Sequence, residues 1–330
     1  TPDFQVDTKH KNLTGLTAIA PRPSSKHIAV LMCTYNGGRF LADQLASIER
    51  QSHDNWLVAV SDDGSTDNTL EIIQSFRERW GHEKITAFEG PKRGFAANFL
   101  TLACNQSLHA DFFAWADQDD IWLENKLETA LNWLQSVPSE IPALYCGRTR
   151  GVDANGQPLE CSPLFNRPPA FANALVQSLA GGNTMVFNQA ARELFVKAGE
   201  NIEIVSHDWW AYLLITGAGG KVAYDPTPFV LYRQHEANLV GSNSGWKARS
   251  RRLRMMLKGR FSTWNEQNIQ CLTSVGNLLT TENQRTLDNF RSARKSNLVG
   301  RLLGLRRAGV YRQTTPGNIG LLFAAIMKGI

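Results

Sequence analysis

Three carboxylates crowd into four positions at Asp117-Gln118-Asp119-Asp120, directly after the apolar run 112–116. A buried strand that ends in like charges faces both mutual repulsion and the cost of desolvation. A hard divalent cation with oxygen ligands relieves both, and it can be shared with the oxygens of a diphosphate. Other chemistry-bearing residues recur in the same kind of place, just after an apolar run: Cys33-Thr34-Tyr35-Asn36, then Asp62-Asp63, then Lys92-Arg93-Gly94. Gathered on one edge of a sheet, they supply an aromatic face, hydrogen-bond acceptors and a cation. A nucleoside diphosphate needs those parts: a stacking surface, an acceptor for a base imide N–H, and charge compensation for its phosphates. A further segment, His207-Asp208-Trp209-Trp210, sets a carboxylate among aromatics, where partial desolvation raises its basicity and an exposed ring offers an apolar platform.

Such residues need a scaffold that brings strand ends together, and the chain alternates accordingly. Residues 27–33 read as a strand, after which Gly37-Gly38 opens a helix with Phe40, Leu41, Leu45 and Ile48 on its apolar face. A second strand at 56–60 leads to Thr66 or Asp67 as a cap, then to a helix carrying Leu70, Ile73 and Phe76. Strands near 85–88 and 112–116 flank a helix over 95–108, and Ile121 onward reads as the start of a helix that runs to about 137. Further on come a strand at 143–146, a loop over 153–169 and an extended stretch at 182–188. Helices follow at 190–198 and 208–216, then strands at 222–224 and 229–232. The order predicts an α/β fold with a mostly parallel sheet wrapped by helices, and ligands at the carboxyl ends of the strands.

In their order and spacing, TYNGG, FLADQL, SDDGSTDNT, GFAANF, WADQDDIW, GGNTMVFN, HDWW and LYRQHEANLVG resemble the family 2 glycosyltransferases of the GT-A fold, over residues 27–241. DQDDIW, HDWW and YRQH together resemble the bacterial rhamnosyltransferases that build O-antigen, lipopolysaccharide core and cell-wall rhamnan. The resemblance implies that Cys33, Tyr35 and Asn36 lie against the nucleotide, that Asp63 accepts the base N3–H, and that Arg93 supports base or diphosphate. Asp119 would hold Mg²⁺ or Mn²⁺ against the diphosphate, with Asp117 nearer the ribose or the metal's water shell. His235 would be a further metal or phosphate ligand, Asp208 the catalytic base, and Trp209 a sugar platform. Asp208 could also be only a helix cap. The donor implied is dTDP-L-rhamnose and the acceptor a lipid-linked saccharide or lipopolysaccharide core, with inversion at the anomeric carbon. A UDP-linked donor carrying another sugar is the alternative within the family.

The net charge of +5 conceals an asymmetry. Residues 245–330 hold 16 Lys and Arg against Glu266, Glu282 and Asp288, a net of about +13, which leaves about −8 for the rest. With a polar N-terminal extension (1–26), that split sets an acidic body (27–244) against a basic helical region (245–330), and the resemblance implies that 27–244 is the catalytic domain, its nucleotide half 27–120 and its acceptor half 121–244. Within the last, Leu253, Met256 and Leu257 recur at helical spacing among cations, a pattern suited to an anionic membrane surface. The apolar run 319–327 is far too short to span a bilayer. Five widely spaced cysteines without a C-x-x-C pair argue for reduced thiols and a cytoplasmic setting, and against zinc. The chain is thus expected to sit peripherally on the inner face of a bacterial cytoplasmic membrane. No G-x-G-x-x-G follows the first strand, which disfavours a dehydrogenase. The lack of transmembrane spans and of a Q-x-x-R-W motif disfavours a processive synthase. A nucleotide-sensing module with a nucleic-acid-binding tail is a reading from another class, but the acidic body lacks the surface for nucleic acid.

Overall fold

Two strands, β1 (Ile28–Thr34) and β4 (Phe112–Ala116), are buried at every position, as continuous apolar runs in the middle of a parallel sheet should be. The computed structural model describes residues 26–235 and 260–330. The N-terminal stretch, the boundary near residue 245 and the amphipathic pattern at 247–258 lie outside the described residues. Beside β1 lies β2 (Trp56–Asp62), and beside β2 lies β3 (Ile85–Glu89), all parallel. Beyond β4 the sheet turns mixed. β8 (Val186–Asn188) runs antiparallel to both β4 and β6 (Ala143–Val152), and β6 pairs in parallel with β9 (Lys221–Arg233). β5 (Ile121–Trp122) closes the edge against β9, and β7 (Pro158–Cys161) forms a short hairpin arm on β6, giving a nine-stranded sheet among the described residues.

Several local expectations shift in tertiary context. Ile121-Trp122 is a strand, not the first turn of a helix, because Leu231 and Val230 of β9 offer it a ladder. The two late strands are one, β9, whose register against β6 slips between Gly147 and Thr149. The stretch from 182 begins as a 3₁₀ turn (Gly182–Thr184) before becoming β8. The loop over 153–169 contains β7.

Strand alternation sorts the core into two layers. Ile28, Val30 and Met32 face one side, where they meet α1 (Leu41–Glu49), α2 (Thr69–Trp80) and α4 (Lys126–Leu134). Ala29, Leu31 and Cys33 face the other, against α3 (Phe95–Cys104), α6 (Gln189–Ala198) and α7 (His207–Gly217), with the short α5 (Phe171–Ala174). The C-terminal helices stack on this second side as a third layer. They are α8 (Arg260–Ser274), α9 (Thr281–Lys295), α10 (Leu298–Ala308) and α11 (Thr315–Ile326). Leu272, Phe290, Leu305 and Ala325 belong to the same core as α7, so the described part of the basic region is built into the body that holds the sheet. Polar ties reinforce the seam: Tyr311 Oη donates to Pro168 O at 2.6 Å, and Gln313 N donates to Gln177 Oε1 at 2.8 Å.

That third layer explains α7. Covered on both sides, it is apolar nearly all round, and Asp208 is the one residue of the helix that is not buried.

Candidate functional site

The carboxyl ends of β1, β2 and β4 lie side by side, so the segments singled out from the sequence converge. At the end of β1, Cys33 is buried between two carboxylates. Burial first, then the charges of Asp117 and Asp63, raise its thiol pKa well above the ordinary value. Tyr35, 59% exposed, projects from the following turn with its backbone fixed. Its N–H donates to Gln118 Oε1 at 2.9 Å, and its carbonyl accepts from Gln118 Nε2 at 3.0 Å. The β1 turn is thereby pinned to the acidic segment, and Gly37 lets Gln118 pass where any Cβ would collide with its amide.

Asn36 adopts φ 49°, a left-handed conformation that Asn tolerates. Its Oδ1 accepts from Thr66 N at 2.8 Å and its N–H donates to Ser65 Oγ at 2.8 Å, so it ties the first loop to the second. At the end of β2, Asp63 accepts from Lys92 N at 2.6 Å and from Gly94 N at 2.9 Å. It thus sets the loop before α3 while each oxygen keeps lone-pair capacity for one more donor. Arg93, exposed on that loop, reaches Asn201 Oδ1 at 3.4 Å, between the loop and the stretch after α6.

The acidic segment itself divides into three different environments. Asp117 is partly buried, and no donor among the described residues reaches its carboxylate. Burial, then Asp119, then Asp208 push its pKa up to about 8. Asp119 instead faces His235, whose Nε2 lies 2.8 Å from Asp119 Oδ2. The His235 ring packs on Phe40 at 4.9 Å between centroids, and the Arg233 guanidinium lies 4.5 Å over the same Phe40 ring. Arg233 Nε also donates to Asp119 O at 3.1 Å, and its Nη2 bonds Asp43 at 3.0 Å.

Asp120 is wholly enclosed. It accepts from the Asn183 side chain and from Arg233 N, so it braces the 3₁₀ turn and the end of β9 and does not face the pocket. Burial, then Asp119 and Asp117, raise its pKa well above the usual range. Lys126 is also buried, with Nζ 3.6 Å over the Trp122 ring, and burial lowers its pKa to about 7 against the attraction of Asp120.

Asp208 lies close enough to Asp117 for its charge to help raise the Asp117 pKa. Its Oδ1 accepts from Trp209 N at 2.7 Å, at a helix N-terminus whose dipole favours a carboxylate. His207 beside it stacks on Phe99 at 3.9 Å and meets the Trp115 edge at 4.7 Å. Burial lowers its pKa to about 4, so it stays neutral near pH 7. Gly182 makes room for that ring, since a Cβ there would strike His207 Nε2.

Trp209 requires a correction. It is 5% exposed, and its Nε1 donates to Ala174 O at 2.7 Å with Trp264 of α8 against it edge-on. The C-terminal helices cover that side of α7, so the ring is core and not a sugar platform; Trp210 is buried too. Residues missed in the sequence are mostly partners: Gln118, Asn183, Phe40 and Arg233. Gln118 lay within the acidic motif and Asn183 within GGNTMVFN, but nothing local marked their partners.

The chain matches the family model described as Glycosyl transferase family 2 over residues 29–195. It is 30% identical over 235 residues to the dTDP-rhamnosyl transferase RfbG of Shigella flexneri, covering 67% of this chain and 78% of that one. Over 107 residues it is 29% identical to the UDP-Glc:alpha-D-GlcNAc-diphosphoundecaprenol beta-1,3-glucosyltransferase WfgD of Escherichia coli, 32% of this chain and 40% of the other. Among solved structures, S. aureus TarS in complex with UDP-GlcNAc superposes with TM-score 0.52 at 14% identity, over 86% of this chain and 93% of that one. GalNAc-T7 with UDP, GalNAc and Mn²⁺ superposes with TM-score 0.51 at 10% identity, over 93% of this chain and 57% of that one. These likenesses are in the fold, of GT-A type.

Proposed function

The chain belongs to glycosyl transferase family 2, and on that premise we propose that it is an inverting, metal-dependent rhamnosyltransferase using dTDP-L-rhamnose. Its acceptor is a lipid-linked saccharide or lipopolysaccharide core at the cytoplasmic face of a bacterial membrane, on the way to O-antigen or a related surface polysaccharide. The observation that carries the reading is the convergence of Asp117, Asp119, Asp208 and His235 beside Cys33, Tyr35 and Asp63.

The donor set suits Mg²⁺ or Mn²⁺. Asp119 and His235 meet at 2.8 Å, and an uncompensated carboxylate, Asp117, stands next to them. Among the described residues no three His, Cys, Asp or Glu side chains could hold a metal alone, so Asp119 and His235 would hold the cation together with a bound diphosphate. A cation held there would supply Lewis-acid chemistry to the leaving diphosphate. Tyr35 offers an exposed ring to the base, and Asp63 keeps an acceptor for its imide N–H. Arg93 stands at the rim, where its cation can meet the diphosphate or the base. Asp208, close to Asp117, takes the proton of the acceptor hydroxyl as that oxygen attacks from the face opposite the diphosphate. One displacement with one base inverts the anomeric centre, so a β-linked donor gives an α-linked product.

A UDP-linked donor is the second reading, favoured by the match to WfgD, because uracil and thymine share the edge that Asp63 and Tyr35 meet. A panel of dTDP- and UDP-sugars with Mn²⁺ decides between them. The expected result is stabilisation by about 2–4 kcal/mol, and slow hydrolysis, with dTDP-L-rhamnose above all others. A UDP-sugar that does both better overturns the rhamnosyl reading.

A further inference from the structure

We propose that the outward face of α11, with the adjoining turns of α10, is the surface by which the enzyme docks on an anionic lipid bilayer. This rests on the reading of the acceptor as lipid-anchored.

The helix α11 is apolar on two opposite sides. Leu321, Ala324 and Ala325 point inward and are buried in the core shared with α7. Ile319, Leu322, Phe323, Ile326 and Met327, spaced i, i+3, i+4, i+7 and i+8, form a second stripe that is 44–65% exposed. A helix with two apolar sides buries both, and the described residues cover one. On α10, Val299 (66%) and Leu303 (50%) are likewise exposed, while Arg301, Leu305 and Ala308 face inward. An unbroken stripe of five exposed large apolar side chains, as on α11, marks an interaction surface, unlike scattered single ones.

Charge selects the partner. After Asp288 the sequence has no acidic residue through Ile330. Arg306 and Arg307 close α10 and Lys328 follows α11, all exposed. A face of large apolar side chains bordered by Arg306, Arg307 and Lys328 complements an anionic headgroup layer above acyl chains. A second copy of the chain, docked face to face, would bring these cations against their own kind. With 12 residues, α11 is about 18 Å long and cannot cross a hydrocarbon core of about 30 Å, so it lies in the interface.

The face is also rigidly held. Arg301, buried between the two helices, donates to Ala325 O at 2.8 Å and to Ser296 O at 2.8 Å. Asn318 Nδ2 bonds Arg312 O at 2.7 Å, and Asn173 Nδ2 bonds Tyr311 O at 2.9 Å. These bonds fix α11 to the layer that carries α7 and Asp208, so the surface is a platform that sets the height of the base above the lipid.

The test uses the full chain with phosphatidylcholine vesicles, with and without one quarter phosphatidylglycerol, and transfer to a water-soluble acceptor measured in parallel. Both substitutions of the Leu322→Glu/Phe323→Glu variant fall on exposed positions, and its circular dichroism should match the parent. The parent should sediment with anionic vesicles and not neutral ones, and the variant should bind them at least about tenfold more weakly. Arg306→Gln with Arg307→Gln should weaken binding several-fold and reduce its salt dependence. Soluble-acceptor transfer should be unchanged in both. Parent and Glu variant binding alike, or no binding by the parent, overturns the proposal. So does a parent dimer that Phe323→Glu converts to monomer, which would assign the face to a second copy. Vesicle binding without any glycosyl transfer would instead overturn the enzymatic reading and leave the surface standing.

Discussion

Carboxylates cluster at the ends of the two strands that flank β1, and one from each cluster, Asp62 and Asp117, meets an opposite environment. On β2, Asp62 accepts from Thr34 Oγ1 at 2.7 Å, Ser65 N at 2.8 Å, Ser65 Oγ at 2.6 Å and Gly64 N at 3.1 Å. Against the cost of burial, the bonds from Ser65, Thr34 and Gly64 hold its carboxyl below the usual range. On β4, Asp117 has no donor among the described residues, and burial with Asp119 and Asp208 drives it the other way. The same residue type is finished structure in one place and unfinished business in the other. A fold keeps a carboxylate uncompensated where a ligand brings the missing positive charge.

The largest effect that separates the two clusters is catalytic. Asp119→Ala should reduce transfer to background while circular dichroism stays native, and EDTA should do the same to the parent, because several kcal/mol of leaving-group stabilisation are lost. Full turnover in EDTA after exhaustive dialysis would remove the metal from the account. Next, Asp208→Asn keeps the shape and the bond from Trp209 but cannot take a proton. The expected loss in kcat is roughly 10²–10⁴-fold with little change in donor affinity. A change of only a few-fold would make Asp208 a cap.

The smallest effect is the most direct on the comparison, since one substitution should act with opposite sign at the two strands. In EDTA near pH 7, Asp62→Asn should destabilise by about 2–4 kcal/mol, because charge-assisted bonds are lost. Asp117→Asn should stabilise by on the order of 1–3 kcal/mol, because a disfavoured charge is removed. The pH dependence follows. The lowered Asp62 binds fewer protons folded than unfolded, so its stabilisation is present above about pH 4 and is lost as pH falls through its folded pKa. The raised Asp117 binds more protons folded, so stability declines as pH rises from about 4 toward about 8. Urea midpoints of the parent and both variants across that range test it; a parallel response at the two sites would end the contrast.

Much of what is local could be read from the sequence. The apolar run at 27–33 and the helical spacing at Leu41, Leu45 and Ile48 are short-range signals, and these elements formed within a few residues of expectation. The gathering of Cys33, Asp63, Asp117 and Asp119 at one edge was legible because a parallel sheet puts every strand's carboxyl end on the same side. The motifs around them were enough to point to the family. What the chain could not disclose locally is which charges are satisfied. Asp120 differs from Asp117 because Asn183 and Arg233 arrive from 63 and 113 positions away. Trp209 became core because α8, more than fifty residues further on, covers α7. The composition that set apart a basic helical region was real as charge, yet Leu272, Phe290 and Ala325 bury the described part of that region in the core shared with α7. Periodicity and charge are properties of a segment, whereas desolvation and hydrogen-bond satisfaction depend on what packs against it, and only the tertiary structure decides that.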